Sequence, residues 1–442
     1  MKIRTLSDEE IKRECGLEFV AVPSLTQFGG LQPFLRFLDR VRIKERLSAC
    51  CGSDKASALL QLMCGLTVGA KSMEGVAEVC KDPAFKRFIK RPLSATQLTR
   101  TFKKLSASEI ANLHELTTAL GIMEFAETSY RGLTVTLDID ATAVEKYGKQ
   151  EGVTAGYIAK DQIKPCYQYL FVRNSNLHSF VYGTIREGST HSQNGFLEYL
   201  RMLLPMFNGE WTLRLRADSG YFNEEAFSMC SSQNVEFYIK APMSDSRQRL
   251  ADRESTLWTP DEADSSVSYA SIQTNTKEGY IWREIFKRVR DKDSDELLFP
   301  SYRTYCLATN NLEVKPSRAY EIYNGRANIE NNIRELKNDY ALGKIVSESF
   351  QVNDAITQAT LILYILMGHF KRNCLDKDDQ KAQLSTVQRK FFHIPARFIS
   401  SSRYEWSRIY SVMLDKLKWS RMISRVLALR SLLTLPLPQA SG

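Results

Sequence analysis

One short segment carries an aromatic, a carboxylate and several cations at helical spacing. At about 100° per residue, Tyr323, Arg326, Glu330 and Lys337 fall on one narrow stripe of a helix spanning 323–337. Side chains of these types contact phosphates and metal ions, but the same stripe also suits a solvated face held by i,i+4 ion pairs such as Arg326 with Glu330. Gly325 and several asparagines give this segment a low helix propensity. Stabilisation of the helix itself is therefore a weak explanation for the charged stripe.

The spacing Tyr-x2-Arg-x3-Glu-x6-Lys resembles the YREK signature of bacterial insertion-sequence transposases of the DDE type. The resemblance implies that Glu330 is the third metal-binding carboxylate and that Tyr323, Arg326 and Lys337 lie along bound DNA. It also implies two earlier aspartates at the ends of strands. The matching segments span roughly residues 130 to 345 and include 150–152, 188–191 and 216–221.

Two predicted strands end in aspartate, one in Asp138-Ile139-Asp140 and the other in Asp218. Strand alternation places Asp138 and Asp140 on one face, so spacing alone leaves both open as the first ligand. The family pattern of Asp, a small residue and Thr matches Asp140-Ala141-Thr142 and selects Asp140. Asp138 is then a supporting carboxylate or a surface residue. Each aspartate also has an ordinary alternative, because strands often finish in a turn aspartate.

Three carboxylates on separate elements, Asp140, Asp218 and Glu330, form the oxygen donor set that Mg²⁺ prefers. The resemblance implies a ribonuclease-H-like site with two Mg²⁺ ions, for which Mn²⁺ can substitute. Two ions about 3.5–4 Å apart stabilise both the attacking and the leaving oxygen of a phosphodiester.

Alternating and helical patterns predict an α/β fold. Val135, Leu137 and Ile139 alternate with polar residues, as do Leu213 and Leu215, whereas 355–370 has the pattern of an apolar helix. We predict a ribonuclease-H-like catalytic domain with an all-β insertion, flanked by an N-terminal helical domain and a C-terminal helical basic tail. The predicted segments are an N-terminal helical DNA-binding region (1–128), the first catalytic part (129–234), the β-rich insertion (235–312), the second catalytic part with the YREK helix (313–375) and the basic helical region (376–442).

Positive charge is concentrated in two places. Lys and Arg total 60 against 51 Asp and Glu, a net charge of +9, and the segment from Lys381 to the end, with 11 basic and 2 acidic residues, accounts for all of it. A second cluster, the N-terminal basic cluster, contains Lys86, Arg87, Lys90, Arg91, Arg100, Lys103 and Lys104. Basic stripes are typical of polyanion binding, although each cluster alone also fits ordinary solubilising charge.

The nine cysteines include no CxxC pair, which favours neither a disulfide framework nor a zinc site and indicates reduced cytosolic thiols. The first ten residues lack an apolar stretch, so secretion is not expected. The longest apolar run, near 361–367, is too short to span a bilayer. We expect a bacterial cytoplasmic protein that associates with the nucleoid when bound to DNA.

The sequence therefore predicts a DNA transposase that cleaves and joins double-stranded DNA at the inverted-repeat ends of its own insertion sequence. Pairing of two ends suggests a homodimer in the DNA complex. One alternative is a ribonuclease-H-like nuclease without strand transfer, and another is a catalytically inactive DNA-binding relative. The end sequence, the target preference and the excision route cannot be inferred from the chain.

Overall fold

The computed structural model describes residues 7–18, 20, 22–127, 134–159, 162–191, 193–207, 212–253, 256–291, 301–400, 405–411 and 415–429. The predicted segment boundary at 128/129, the C-terminal arginines 403 and 430 and most of the acidic stretch 291–296 lie outside these residues. None of the described helices is long and apolar enough to cross a membrane.

Helices dominate the first 127 residues, as predicted from the apolar spacing. They are α1 (Asp8–Cys15), α2 (Gln32–Arg40), α3 (Ile43–Cys51), α4 (Ser53–Thr67), α5 (Met73–Val79), α6 (Ala95–Phe102) and α7 (Ala107–Glu127), with one short strand, β1 (Leu25–Thr26). Helix α6 begins with a capping box, in which the Ser94 hydroxyl accepts from the backbone N–H of Gln97 while the Gln97 side chain accepts from that of Ser94.

A ten-stranded sheet forms the centre of the protein. Its strands are β2 (Thr134–Glu145), β3 (Thr154–Ala159), β4 (Gln162–Asn174), β5 (Ser179–Glu187), β6 (Thr212–Ala217), β7 (Glu236–Ala241), β8 (Thr259–Pro260), β9 (Val267–Asn275), β10 (Ile281–Arg290) and β11 (Tyr302–Thr309). The order is β3-β4-β2-β6-β7-β11-β10-β9-β8, with β5 paired to β4. Strand β2 pairs in parallel with β6, and β6 in parallel with β7, so their carboxyl ends meet at one edge.

The strands of the predicted insertion extend this sheet instead of forming a separate one, because β11 pairs directly with β7. The region also contains helix α10 (Asp245–Ala251), which the sequence analysis did not predict. Its N-cap is Ser244, whose hydroxyl accepts from the backbone N–H of Arg247. The division of the chain at 235 and 312 stays a prediction.

Helices cover both faces of the sheet. Helices α8 (Phe196–Leu203) and α9 (Glu224–Ser232) pack on the face that carries Ile139 and Leu215. The opposite face packs against the long helix α13 (Phe350–Cys374), which is buried along most of its length between the sheet and the N-terminal helices. Helices α11 (Pro316–Asn324) and α12 (Asn328–Asn338) connect the sheet to α13.

The C-terminal region is not purely helical, so that part of the prediction was wrong. It contains α14 (Leu384–Val387), a π-helical turn (Gln388–Phe392), α15 (Lys416–Ala428) and two strands, β12 (Ala396–Ser400) and β13 (Glu405–Ile409). Strand β12 pairs with β1, which lies about 370 residues earlier, through Leu25 opposite Arg397. At this joint the backbone of Gly30 lies against that of Phe391, where a Cβ would stand 1.7 Å from the Phe391 carbonyl oxygen.

Candidate active site

Asp140 and Asp218 lie side by side because of the parallel pairing of β2 and β6. The last paired residues of this ladder are Ile139 and Ala217, so each aspartate is the next residue on its own strand. Neighbouring strands are about 4.8 Å apart, which keeps the two carboxylates close. Asp218 also accepts a hydrogen bond from the backbone N–H of Gly220, which fixes the turn after β6.

The predicted continuous helix through Tyr323 and Glu330 is interrupted, which corrects the sequence analysis. Helix α11 ends at Asn324, Gly325–Ala327 form a 3-10 turn, and α12 begins at Asn328. Glu330 therefore lies in the first turn of α12, where the positive end of the helix dipole favours a carboxylate.

Arg326 connects two of the three carboxylates. Its Nη1 is 3.3 Å from Asp140 Oδ1 and its Nη2 is 3.6 Å from Glu330 Oε1. It also hydrogen-bonds to the half-buried hydroxyl of Tyr323. The Arg326 side chain is only 13% exposed, against 57% for Glu330. A fully solvated face, the alternative left open by the sequence, does not describe Arg326.

Lys337 reaches the same place from the other end of α12. Its Nζ donates to Thr142 Oγ1 at 2.7 Å and to the Ala143 carbonyl at 3.0 Å, which ties α12 to β2 just beyond Asp140. Burial lowers the pKa of Lys337, and Asp140 opposes that shift. An open cavity of about 250 Å³ lies here, lined by Asp140, Thr142, Glu330, Ile333, Arg334 and Lys337.

The electrostatics of Asp140 show that the three carboxylates act on one another. The pKa of Asp140 is raised to about 6, chiefly by burial; the charge of Arg326 acts to lower it, and the charges of Asp218 and Glu330 act to raise it. The site therefore concentrates negative charge that Arg326 only partly offsets.

Asp138 is neither exposed nor part of the cavity. Its side chain is fully buried between two arginines, with Arg173 Nη1 2.8 Å from Oδ2 and Arg216 Nε 2.6 Å from Oδ1. Burial raises the pKa of Asp138, and both arginines oppose the shift. The surface-residue alternative for Asp138 was thus wrong, and Asp140 is the aspartate at the cavity.

Sequence reasoning did not identify Arg173 and Arg216 as partners of Asp138. Each stands directly opposite Asp138 in the ladders of β4 and β6. The available signal was Arg214 and Arg216 alternating with Leu213 and Leu215, which places cations on the face of the sheet that carries the aspartates.

The donor chemistry of the three carboxylates fits a hard divalent cation, because all of their ligand atoms are oxygens and their charges repel one another. Their present arrangement is more open than a closed metal site. Within the described part of the chain, no three His, Cys, Asp or Glu side chains are grouped closely enough to hold one metal ion.

The two basic clusters differ in their surroundings. All seven residues of the N-terminal basic cluster are exposed; they lie before α6, on it and directly after it. In the C-terminal region, Lys390 and Lys418 contact the buried Asp379, while Arg421 and Arg425 contact Asp376 at 2.5 and 2.8 Å. Four cations of the C-terminal region are therefore paired with aspartates of the same chain.

A sequence-family model described as "Transposase DDE domain group 1" matches residues 25–431. No curated protein matches the chain significantly. A solved structure similar to this chain is the cryo-EM structure of the piggyBac transposase synaptic complex with hairpin DNA. It is 11% identical, with a TM-score of 0.39, and the match covers 90% of this chain and 85% of that one.

We expect Asp140→Asn to stabilise the metal-free protein above pH 6. The pKa of Asp140 rises from 3.8 to about 6 on folding. Between these values the folded state keeps a proton that the unfolded state has lost, so stability falls as pH rises. Asparagine removes that loss; since the pKa of about 6 already includes the charge of Arg326, the gain is on the order of 1–3 kcal/mol.

Urea unfolding of both proteins in EDTA across pH 3.5–8 measures this difference, with the exposed Glu262→Gln as control. The gain should be small below pH 4, grow between pH 4 and 6, and approach a constant value only well above the folded-state pKa of about 6. A variant less stable than the wild type at neutral pH would contradict the electrostatic description of the site.

Proposed function

The chain belongs to the Transposase DDE domain group 1 family, and we propose that it is a DNA transposase that cleaves and joins DNA at the inverted-repeat ends of its own insertion sequence. The observation that carries the proposal is the position of Asp140 and Asp218 at the carboxyl ends of two adjacent parallel strands, with Arg326 3.3 Å from Asp140 and 3.6 Å from Glu330. The nearby charges of Asp218 and Glu330 each act to raise the pKa of Asp140.

Asp140, Asp218 and Glu330 would together hold two Mg²⁺ ions, with Mn²⁺ as a substitute. Bound there, the ions supply charge that activates an oxygen nucleophile and stabilises the leaving oxygen. The protein's own residues bind and orient the DNA. Arg326 offers a planar pair of donors to two phosphate oxygens, and Lys337 and Tyr323 each offer one further donor.

The proposed reaction has two displacements at phosphorus. Water attacks a phosphodiester at the transposon end, its P–O bond to the leaving 3′ oxygen breaks, and a free 3′-hydroxyl results. That hydroxyl then attacks a second phosphodiester in the target, forming one P–O bond as another breaks. Neither step needs a covalent bond between protein and DNA.

Two alternative functions differ from a transposase in the DNA products that they would give. A nuclease of the same family would hydrolyse DNA without joining it, and an inactive relative would bind DNA without cutting it. Incubating the protein with a labelled end, target DNA and divalent metal separates all three. Imperfect inverted repeats flanking the coding sequence, enclosed by short direct repeats, would identify the element independently.

The exposed N-terminal basic cluster supports double-stranded DNA as the partner, because its seven cations lie on α6 and the segments on either side of it, with no acidic residue among them. We propose that the protein pairs two transposon ends as a homodimer in the DNA complex. Its proposed location is the bacterial cytoplasm, bound to the nucleoid.

Amide replacement of any one carboxylate should abolish cleavage while leaving DNA binding intact. We expect Asp140→Asn, Asp218→Asn and Glu330→Gln each to lower the cleavage rate about a thousandfold, which corresponds to roughly 4 kcal/mol of transition-state stabilisation. Glu321→Gln on α11 is the matched control, since Glu321 is exposed and its contact is an ion pair with Arg318 at 2.7 Å. Wild-type cleavage by any of the three variants would exclude that carboxylate from the site.

The two basic clusters should differ in their effect on the salt dependence of DNA affinity. Neutralising one phosphate-contacting lysine lowers the slope of log affinity against log salt by about 0.9. We expect this for Lys103→Gln, which is exposed, and not for Lys418→Gln, which loses an internal contact with Asp379. Fluorescence anisotropy at several salt concentrations measures both slopes. An affinity independent of salt would contradict the phosphate contacts.

Arg326→Lys separates a role at the DNA from a role in stability. Lysine keeps the charge but loses the planar fork, so we expect a large loss of cleavage or joining with a melting temperature within a few degrees of wild type. Tyr323→Phe removes one hydroxyl at the same place. The contrary result is that both variants retain full activity and lose only the few tenths of a kcal/mol of unfolding free energy that a surface ion pair contributes. That result would show that the proposed DNA contact is wrong.

A further inference from the structure

Arg216 contacts three separate elements of the candidate site. It lies on β6, two residues before Asp218, and is almost completely buried. Its Nε donates to Asp138 on β2 at 2.6 Å, its Nη2 to Ser175 Oγ at 2.9 Å, and its Nη1 to the carbonyl of Ile322 on α11 at 2.6 Å. One guanidinium group thus links the strands of both catalytic aspartates to the helix that precedes Glu330.

The contact with Ile322 lies in the last turn of α11. Carbonyls in the last turn of a helix have no partner within the helix, and a cation there interacts favourably with the helix dipole. Arg216 supplies both the donor and the charge from outside the helix. The chain leaves α11 at this point and enters the 3-10 turn that carries Arg326.

Gly325 makes room for this contact. A Cβ at Gly325 would stand 2.3 Å from Arg216 Nη1. The backbone angle φ of Gly325 is −57°, which any residue adopts, so glycine is needed for space and not for backbone freedom. Ordinary helix propensity would favour alanine at this position.

We infer that Arg216 is a positioning residue, which holds Glu330 at a fixed distance from Asp140 and Asp218 through the Ile322 carbonyl. This inference rests on the proposed function only for its effect on DNA cleavage. Asp138 orients the guanidinium group, because its second oxygen is already held by Arg173 and the carboxylate cannot turn. The competing explanation is that Arg216 merely neutralises the buried Asp138.

Two substitutions remove the contact in different ways. Arg216→Lys keeps one charge beside Asp138 but cannot reach Asp138, Ser175 and Ile322 together. Gly325→Ala keeps the arginine and displaces its Nη1 from Ile322. In the double variant the shorter lysine leaves room for the alanine, so Gly325→Ala should add little to Arg216→Lys.

Arg214→Lys is the matched control. Arg214 lies on the same face of β6 and pairs with Glu236 at 2.6 Å, but neither Asp138 nor α11 is among the partners of its side chain. A loss of stability caused only by weakening an ion pair on this strand would appear in Arg214→Lys as well.

The distance between α9 and α12 is measured by pulsed electron paramagnetic resonance. The two spin labels are attached to cysteines introduced by Ser232→Cys on α9 and Asn338→Cys on α12. Both positions are exposed, and Cys15→Ser removes the one exposed native cysteine among nine whose other members are buried. We expect Arg216→Lys and Gly325→Ala to shift or broaden the distance distribution, and Arg214→Lys to leave it unchanged. The same two variants should lower kcat for strand cleavage about a hundredfold with little change in KM for DNA, as a displacement of about 1 Å does.

The two measurements separate the inference from the proposed function. Unchanged distances in Gly325→Ala would overturn the positioning role, whatever the activity. Equal, additive effects of Gly325→Ala in the wild-type and Arg216→Lys backgrounds would overturn it too. A wild-type protein that cuts no DNA would refute the proposed function, while the distance shifts would still establish the role of Arg216.

Discussion

A fully buried carboxylate needs partners, and the centre of this protein is arranged around that need at Asp138. Arg173 on β4 and Arg216 on β6 each take one of its oxygens from the neighbouring strand. The desolvation of a buried carboxylate and its arginines offsets much of the attraction between their charges. Loss of one partner, in contrast, leaves a buried charge unpaired and strongly destabilises the folded protein. The network therefore fixes the register of three strands more than it adds to stability. Asp140, two residues further along β2, acquires its position beside Asp218 from that register.

The site itself has the opposite electrostatic character. Asp138 is paired with two arginines, but at Asp140 the neighbouring Asp218 and Glu330 add to the cost of burial and Arg326 offsets only part of it. Asp138, whose charge is neutralised, and Asp140, whose charge is only partly neutralised, thus lie two residues apart on one face of β2. The first holds the scaffold rigid, and the second leaves an excess of negative charge for a cation to relieve.

Local patterns predicted what local forces decide. The alternation of apolar and polar residues predicted β2 and β6, and the apolar run predicted most of α13. The ends of two parallel strands then brought Asp140 and Asp218 together. The break at Gly325 was not predicted. The guanidinium group that lies against Gly325, where a Cβ would stand 2.3 Å from Arg216 Nη1, comes from a distant part of the chain. Strands β12 and β13 were also missed; β12 pairs with its neighbour β13 and with the two-residue strand β1, and only the second pairing is distant in sequence. The metal ligands and the DNA contacts stay predictions.

The pairing of β1 with β12 has a consequence for how the chain reaches its folded state. Contacts between residues about 370 apart form late, because the entropy of closing so long a loop must be lost before the contact stabilises anything. During synthesis the N-terminal helices emerge first, with Phe34 and Phe37 lacking the Phe370 and Phe392 rings that cover them in the finished core. The helical layer therefore closes only after the chain has been synthesised at least as far as Phe392, and until then the nascent protein exposes the apolar rings of Phe34 and Phe37.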